Sequence, residues 1–293
     1  MNIIVTGSLG HISRPLAIQL VQKGHSVTVV SSNPEKRQAI EALGARAAIG
    51  SVEDADFLAT VFTNADAVYC MMPPRSFQEP DYPAYGRRIG GNYAKAVRRA
   101  GVRNVVHLSS WGAELDKGTG FILAAHEAEK AFDALEDISV VHIRPASFYY
   151  NLLSFIPMIK SAGIMAANYG EDDRLVLVAP ADIADAIVSA LESPGDRIRY
   201  VASDESTCNE VARVLGQKTG QPGLTWKKWT NQQMLDGLVA GGVPATVARG
   251  FVEIGAASRD GLLRKGYDLH KPVLGKVKLA DFATEFAAQY NRS

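Results

Sequence analysis

The chain has 293 residues, 47% of them hydrophobic, and its 31 basic and 31 acidic side chains cancel to zero net charge. That is enough to bury a sizeable core, while the lack of any basic run longer than Arg87-Arg88, Arg98-Arg99 or Lys227-Lys228 excludes an evident surface for nucleic acid or an anionic membrane. The opening Met1-Asn2-Ile3-Ile4-Val5-Thr6-Gly7 meets a glycine too soon for a signal peptide, and no later run approaches a membrane span of roughly 20 residues. The six histidines lack metal-ligand spacing, Cys70 and Cys208 read as reduced buried thiols, and the expected location is the cytoplasm.

In chain order, short β-branched runs predict strands at Asn2 to Val5, Ser26 to Val30, Ala45 to Ile49, Ala67 to Met71, Asn104 to Leu108 and Ser139 to Arg144, with helical patterns between them. This alternation predicts an α/β fold with a parallel, doubly wound sheet. Gly24, Gly44 and Gly101 fall where helices should stop, and Asn33-Pro34 where one should start. Beyond Pro145 the rhythm loosens. Helices are expected near Leu152 to Ser161, Ala181 to Leu191, Thr207 to Gly216, Asn231 to Ala240 and Ala245 to Leu263, and short strands near Leu175 to Val178, Arg199 to Val201 and Thr225 to Lys227. The expected division is a nucleotide-binding domain over 1–150 and a smaller α+β lobe over 151–293 that closes a pocket.

The first strand runs into Thr6-Gly7-Ser8-Leu9-Gly10-His11-Ile12-Ser13 and then into an apolar helix. A pyrophosphate needs that arrangement: a sharp turn, close backbone approach, and free N–H groups at a helix N-terminus. Ser13 stands where a third small residue is wanted. The alternative is a tight turn without a ligand. After the second strand, where a carboxylate would select NAD by its ribose hydroxyl, the chain reads Ser31-Ser32-Asn33-Pro34-Glu35-Lys36-Arg37. Donors followed by the cations Lys36 and Arg37 suit a 2′-phosphate, which favours NADP(H) and leaves NAD(H) as the alternative.

These segments, with Val105-Val106-His107-Leu108-Ser109-Ser110-Trp111-Gly112-Ala113, Gly118-Thr119-Gly120-Phe121-Ile122, His126-x-x-Glu129 and Val141-His142-Ile143-Arg144-Pro145-Ala146-Ser147-Phe148-x-x-Asn151, resemble the NmrA-like family of atypical short-chain dehydrogenases. Val178-Ala179-Pro180-Ala181-Asp182 and Gly242-Val243-Pro244 extend the likeness over almost the whole chain. The resemblance implies an extended Rossmann fold, NADP(H) binding, and a role between small-molecule reduction and redox sensing. The chain departs from the family at Ser32, where many relatives carry Arg, and at Tyr149-Tyr150, where they often read Met-Glu; the latter implies an altered pocket wall.

No Tyr-x-x-x-Lys pair follows the fifth strand; the pair Tyr267 to Lys271 lies far downstream and reads as coincidence. His126 takes the slot, with Glu129 and Lys130 on its helix face. An imidazole there is suited to touch the nicotinamide ribose or donate a proton near neutrality; the plain alternative is a helix-surface residue tied to Glu129. Ser109 and Ser110 end the fifth strand and either bond ligand or cap the next loop. Met71, Met72, Pro73 and Pro74 end the fourth, as cofactor contacts or core filling. Trp111, Phe148, Tyr149 and Asn151 are the expected substrate-pocket wall.

The leading expectation is an NADPH-dependent reductase of a flat apolar acceptor such as a quinone, with a small-molecule partner and with a homodimer compatible with the sequence. The second is a non-catalytic NADP(H) sensor. Epimerase chemistry would want the missing tyrosine–lysine pair.

Overall fold

Hydrophobic alternation along the first strand settles which way the sheet is covered. The computed structural model describes residues 1–74, 79 and 81–293. Its first half runs β1 (Asn2–Val5), α1 (Ser13–Gln22), β2 (Ser26–Ser31), α2 (Arg37–Glu41), β3 (Arg46–Ile49), α3 (Ala55–Phe62), β4 (Ala67–Met71), α4 (Tyr82–Ala100), β5 (Asn104–Leu108), α5 (Ile122–Asp133) and β6 (Ser139–Pro145). In β1, Ile3 and Val5 join the core under α1, with Leu16 and Leu20, whereas Ile4 joins the opposite core with Leu58, Phe62, Ile89 and Tyr93 from α3 and α4. Both faces of the sheet are therefore apolar, as a parallel sheet flanked by crossover helices requires.

The remainder comprises β7 (Ser147–Phe148), α6 (Ile156–Ala162), β8 (Ile164–Ala167), β9 (Arg174–Val178), α7 (Pro180–Glu192), β10 (Ile198–Val201), β11 (Asp204–Thr207), α8 (Cys208–Thr219), β12 (Thr225–Lys228), α9 (Asn231–Ala240), α10 (Ala245–Arg259), α11 (Arg264–Leu269) and α12 (Leu279–Arg292). The large sheet has the order β10-β6-β5-β4-β1-β2-β3, and all its pairings are parallel. The order reverses between β1 and β4, which places a crevice at the carboxyl ends of those two strands. β10 and α7 lie beyond residue 150 yet complete this sheet and its α1 face.

The smaller lobe has its own core, in which Leu152, Leu215, Trp226, Phe282 and Phe286 are buried. Asp182, near the start of α7, accepts hydrogen bonds from the Lys276 and Val277 N–H groups at 3.0 and 3.2 Å and from the Ser203 hydroxyl. A single carboxylate thus pins the segment entering α12 to the large sheet.

The six strands expected in the first half are present, with ends shifted by a residue at most. The second half needs correction. The helix expected from Leu152 to Ser161 is a 3-10 stretch over 149–155 followed by α6, and the one expected to reach Leu263 stops at Arg259. β7, β8, β11, α11 and α12 were not expected. β11 reads Asp-Glu-Ser-Thr and β8 Ile-Met-Ala-Ala, neither of which carries the β-branched alternation of a strand. Their pairing is a tertiary effect.

Two buried histidines join β5 to β6. His107 and His142 face each other Nδ1 to Nδ1 at 3.0 Å, and His142 Nε2 lies 2.9 Å from Asp133, which also holds Arg197. Donation from His142 to Asp133 leaves its Nδ1 to accept from His107, so His107 Nε2, buried without a partner, is a bare lone pair. Burial first, and His142 second, push the His107 imidazole far below its ordinary range.

Candidate active site

At the end of β1, the buried Thr6 hydroxyl accepts from the Met71 N–H at 3.0 Å and lies 3.2 Å from the Tyr93 hydroxyl, which bonds the Met71 carbonyl at 2.7 Å. This ties β1 to β4 just where the chain turns. Gly7 follows at φ +94°, and a Cβ there would lie 2.5 Å from Ser13 Oγ and 2.9 Å from Met71 Cγ. Only glycine fits. Ser13 donates to the Thr6 carbonyl at 2.8 Å, which explains a small hydroxyl residue where a third glycine was wanted.

Gly10 N–H returns to the Gly7 carbonyl at 3.2 Å, and a Cβ on Gly10 would stand 3.1 Å from that same oxygen. The N–H groups of His11, Ile12 and Ser13 have no acceptor among the described residues, and they open α1. Unpaired donors at the positive end of a helix form an anion cradle. Geometry and donor set both fit a pyrophosphate.

At the end of β2 the donors divide. The Ser31 hydroxyl is buried, 2.9 Å from Ser8 Oγ and 3.2 Å from the Asn33 N–H, so it braces the glycine turn. The Asn33 side chain caps the following turn by accepting from Glu35 N–H. Ser32, Lys36 and Arg37 are exposed, and Arg37 only approaches Glu41 at 3.6 Å across solvent. No carboxylate stands at residues 31–33.

Beyond β5 the structure corrects one expectation. Glu129 does not bind His126. It is buried with Arg144, whose Nε and Nη2 donate to it at 2.9 and 2.6 Å, and it also accepts from the Ser109 hydroxyl. Arg144 further donates to Glu114 and to the Tyr200 hydroxyl, each at 2.9 Å. Burial opposes the Arg144 charge, but the bonds and charge of Glu129 prevail and raise its pKa. The physical reason is that a buried guanidinium demands a bidentate carboxylate, and Glu129 is within reach. Ser110 turns to the Trp111 carbonyl at 3.1 Å.

His126 instead lies with Nδ1 2.9 Å from the Ala113 carbonyl. Nδ1 must therefore donate, and Nε2 has no protein partner among the described residues. Tyr267 and Lys271 do meet, both on Glu205, at 2.9 and 2.7 Å. Burial and then that carboxylate raise the Tyr267 pKa, the opposite of what proton relay requires.

The two lobes meet in an aromatic stack. The His11 ring lies 4.6 Å from Tyr150, which lies 5.0 Å from Phe148. A cleft of about 260 Å³ opens beside it, lined by His11, Tyr149, Tyr150, Ala179, Pro180, Val277, Phe282, Asp281 and Glu285. Tyr149 is buried against Phe282 at 5.1 Å, so it supports the cleft from within the small lobe. Asn151 is exposed and Trp111 buried. Met72, Pro73 and Pro74 line a separate hollow of about 140 Å³ with Tyr82, Tyr85 and Phe121.

Sequence reasoning missed the Glu129–Arg144 pair, the His11–Tyr150 stack and the acids of α12. The first had a signal: an arginine which, with His142, interrupts the apolar run from Val140 to Pro145. The second had none, because it joins residues 139 positions apart.

A parallel sheet of this order, with a glycine turn at its first crossover, defines an NAD(P)-binding protein of the Rossmann type. Two solved structures share the fold across the chain. Triphenylmethane reductase of Citrobacter sp. superposes with a TM-score of 0.82 at 20% identity, covering 98% of this chain and 100% of that one. An Escherichia coli NADPH-dependent quinone oxidoreductase complexed with NADPH gives 0.81 at 19%, covering 97% and 99%. In sequence, the (4-alkanoyl-5-oxo-2,5-dihydrofuran-3-yl)methyl phosphate reductase of Streptomyces griseus is 30% identical over 264 residues, 88% of each chain. The NAD(P)H-binding family model matches residues 7–194. The chain belongs to that family, and its class is that of NAD(P)H-dependent oxidoreductases acting on a small molecule. Among the described residues no helix is long and apolar enough to cross a membrane.

Proposed function

We propose that the chain is a cytoplasmic NADPH-dependent reductase of a small, largely apolar acceptor, with quinones as the acceptor class. The observation that carries this is the free N–H cradle at His11, Ile12 and Ser13 beside an apolar interlobe cleft. The part that holds the cofactor is 1–150 together with α7 and β10, and 151–293 supplies most of the acceptor's wall.

In this reading Gly7 and Gly10 let the phosphates approach. Exposed Ser32, Lys36 and Arg37 face the adenosine 2′-phosphate, and Met71, Met72 and Pro73 pack along the crevice. Ser109 and Ser110 act through position, since their hydroxyls are engaged. Bound NADPH supplies the hydride. His126 is not among the residues that line the interlobe cleft; with its Nδ1–H held by the Ala113 carbonyl, Nε2 is the imidazole nitrogen left for a ligand, and in the imidazolium form it carries the proton that a reduced oxygen takes. The relatives support the reading through their named reactions: reduction of a furanyl phosphate, of triphenylmethane dyes and of quinones.

The test is nicotinamide oxidation by the purified chain, with NADPH and then NADH, across a panel of quinones and dyes. NADPH-dependent turnover upholds the proposal. Tight NADPH binding with no turnover across the panel replaces it with the sensor reading, which the absent Tyr-x-x-x-Lys relay favours.

A further inference from the structure

The interlobe cleft carries charge of one sign. Its floor is apolar, built by Tyr149, Ala179, Pro180, Val277 and Phe282, and its open side carries Asp281 and Glu285, one helical turn apart on α12. Among the described residues no lysine or arginine lines it. The two cations that flank Val277 are directed elsewhere: Lys278 turns its ammonium to the Ser203 and Gly275 carbonyls at 2.7 and 2.8 Å, and Lys276 pairs with Asp185 at 3.3 Å. Asp281 accepts from the Lys278 N–H at 2.8 Å, while Glu285 has no hydrogen bond or ion pair among the described residues. Across the cleft stand His11 and Tyr150, and burial pushes the Tyr150 phenol up to about 12, so it adds no charge at neutral pH.

We infer that this cleft selects acceptors that are neutral or cationic at the end reaching α12 and rejects anionic ones, with Glu285 as the residue that sets the preference. The inference rests on the reductase reading and deepens it by naming the charge class of the acceptor. It separates the chain from its S. griseus relative, whose named substrate is a phosphate ester: a phosphate seated here would meet two like charges with no lysine or arginine among the described lining residues to offset them, a repulsive element of the kind that sets specificity.

The probes are two 1,4-naphthoquinones of one scaffold, one bearing a quaternary ammonium group and the other a sulfonate. Wild type is expected to show a kcat/KM ratio of about tenfold in favour of the cation, shrinking as ionic strength rises. Glu285→Gln should cut the ratio and Glu285→Lys should invert it. Both substitutions lie on an exposed turn of α12, so folding is not at issue. A wild-type ratio near one, or a ratio unmoved in Glu285→Lys, overturns the inference. If neither probe is turned over, the reductase reading has failed separately. Equilibrium binding of the same pair to the NADP⁺-loaded chain then decides: cation preference that inverts in Glu285→Lys upholds the cleft assignment, and equal or absent binding overturns it.

Discussion

Gly10 is the position at which a single side chain should separate cofactor binding from folding. A carboxylate there fills the mouth of the turn and sets negative charge against the helix end that would receive phosphates. Gly10→Asp is expected to abolish NADPH binding by calorimetry while leaving the circular dichroism spectrum intact; retained tight binding would refute the phosphate assignment. His126→Ala should lower turnover at least tenfold and leave the NADPH Kd within a factor of about two. Arg144→Met should destabilise the chain by about 3–5 kcal/mol in urea unfolding, because Glu129 is left buried and unpaired. Adding Glu129→Leu should recover much of that loss. At this scale the sequence displayed the glycines and their spacing, since their chemistry is local. It could not show that Ser31 faces inward or that Glu129 belongs to Arg144, since both depend on which strand comes alongside.

Helices and strands were legible wherever their own periodicity decides them. The parallel strands read as continuous apolar runs because both faces are covered, and Gly101 ends α4 in the left-handed region at φ +69° as its place after Ala100 suggested. The small lobe was harder because its strands are short and its pairings distant. α12 is the exception: Leu279, Phe282, Ala283 and Phe286 are buried at helical spacing, a pattern plainly present in the sequence. Phe286 is fully buried, and Phe286→Ala is expected to cost about 3–5 kcal/mol. That variant should also raise KM for quinones while sparing the NADPH Kd, because α12 carries one wall of the cleft and none of the glycine turn. A parallel loss of cofactor affinity would contradict this division of labour.

For the molecule as a whole, the buried histidine pair sets an acid limit. His107 is held neutral in the folded chain, whereas the unfolded imidazole titrates near 6.5. The folded pKa is the lower one, so the unfolded state binds more protons below that value. Stability should be full above about pH 6.5 and decline beneath it by up to about 1.4 kcal/mol per pH unit. Asp133 acts further down. Burial opposes its charge, but His142 and Arg197 hold it at about 2, so its contribution is present above 3.8 and fades only toward that lower value. Urea midpoints followed from pH 7.5 to 5, in steps of roughly half a unit, would show the first decline in wild type. A His107→Phe variant that folds should lack it, and a slope unchanged in that variant would dismiss the pair as its origin.

The return of β10 to the edge of the large sheet makes the acceptor lobe discontinuous in the gene. The chain leaves the sheet at β7, comes back as α7 and β10, and departs again at β11. Grafting an acceptor lobe from one relative onto another therefore means moving 146–179 and 203–293 together while keeping 180–202 with the nucleotide half. A fragment cut at residue 150 would lose β10 from the outer side of β6, part Asp133 from Arg197 and bare an apolar strand edge ready to pair with other chains; it should collect in inclusion bodies, where the two-piece chimera should stay in solution.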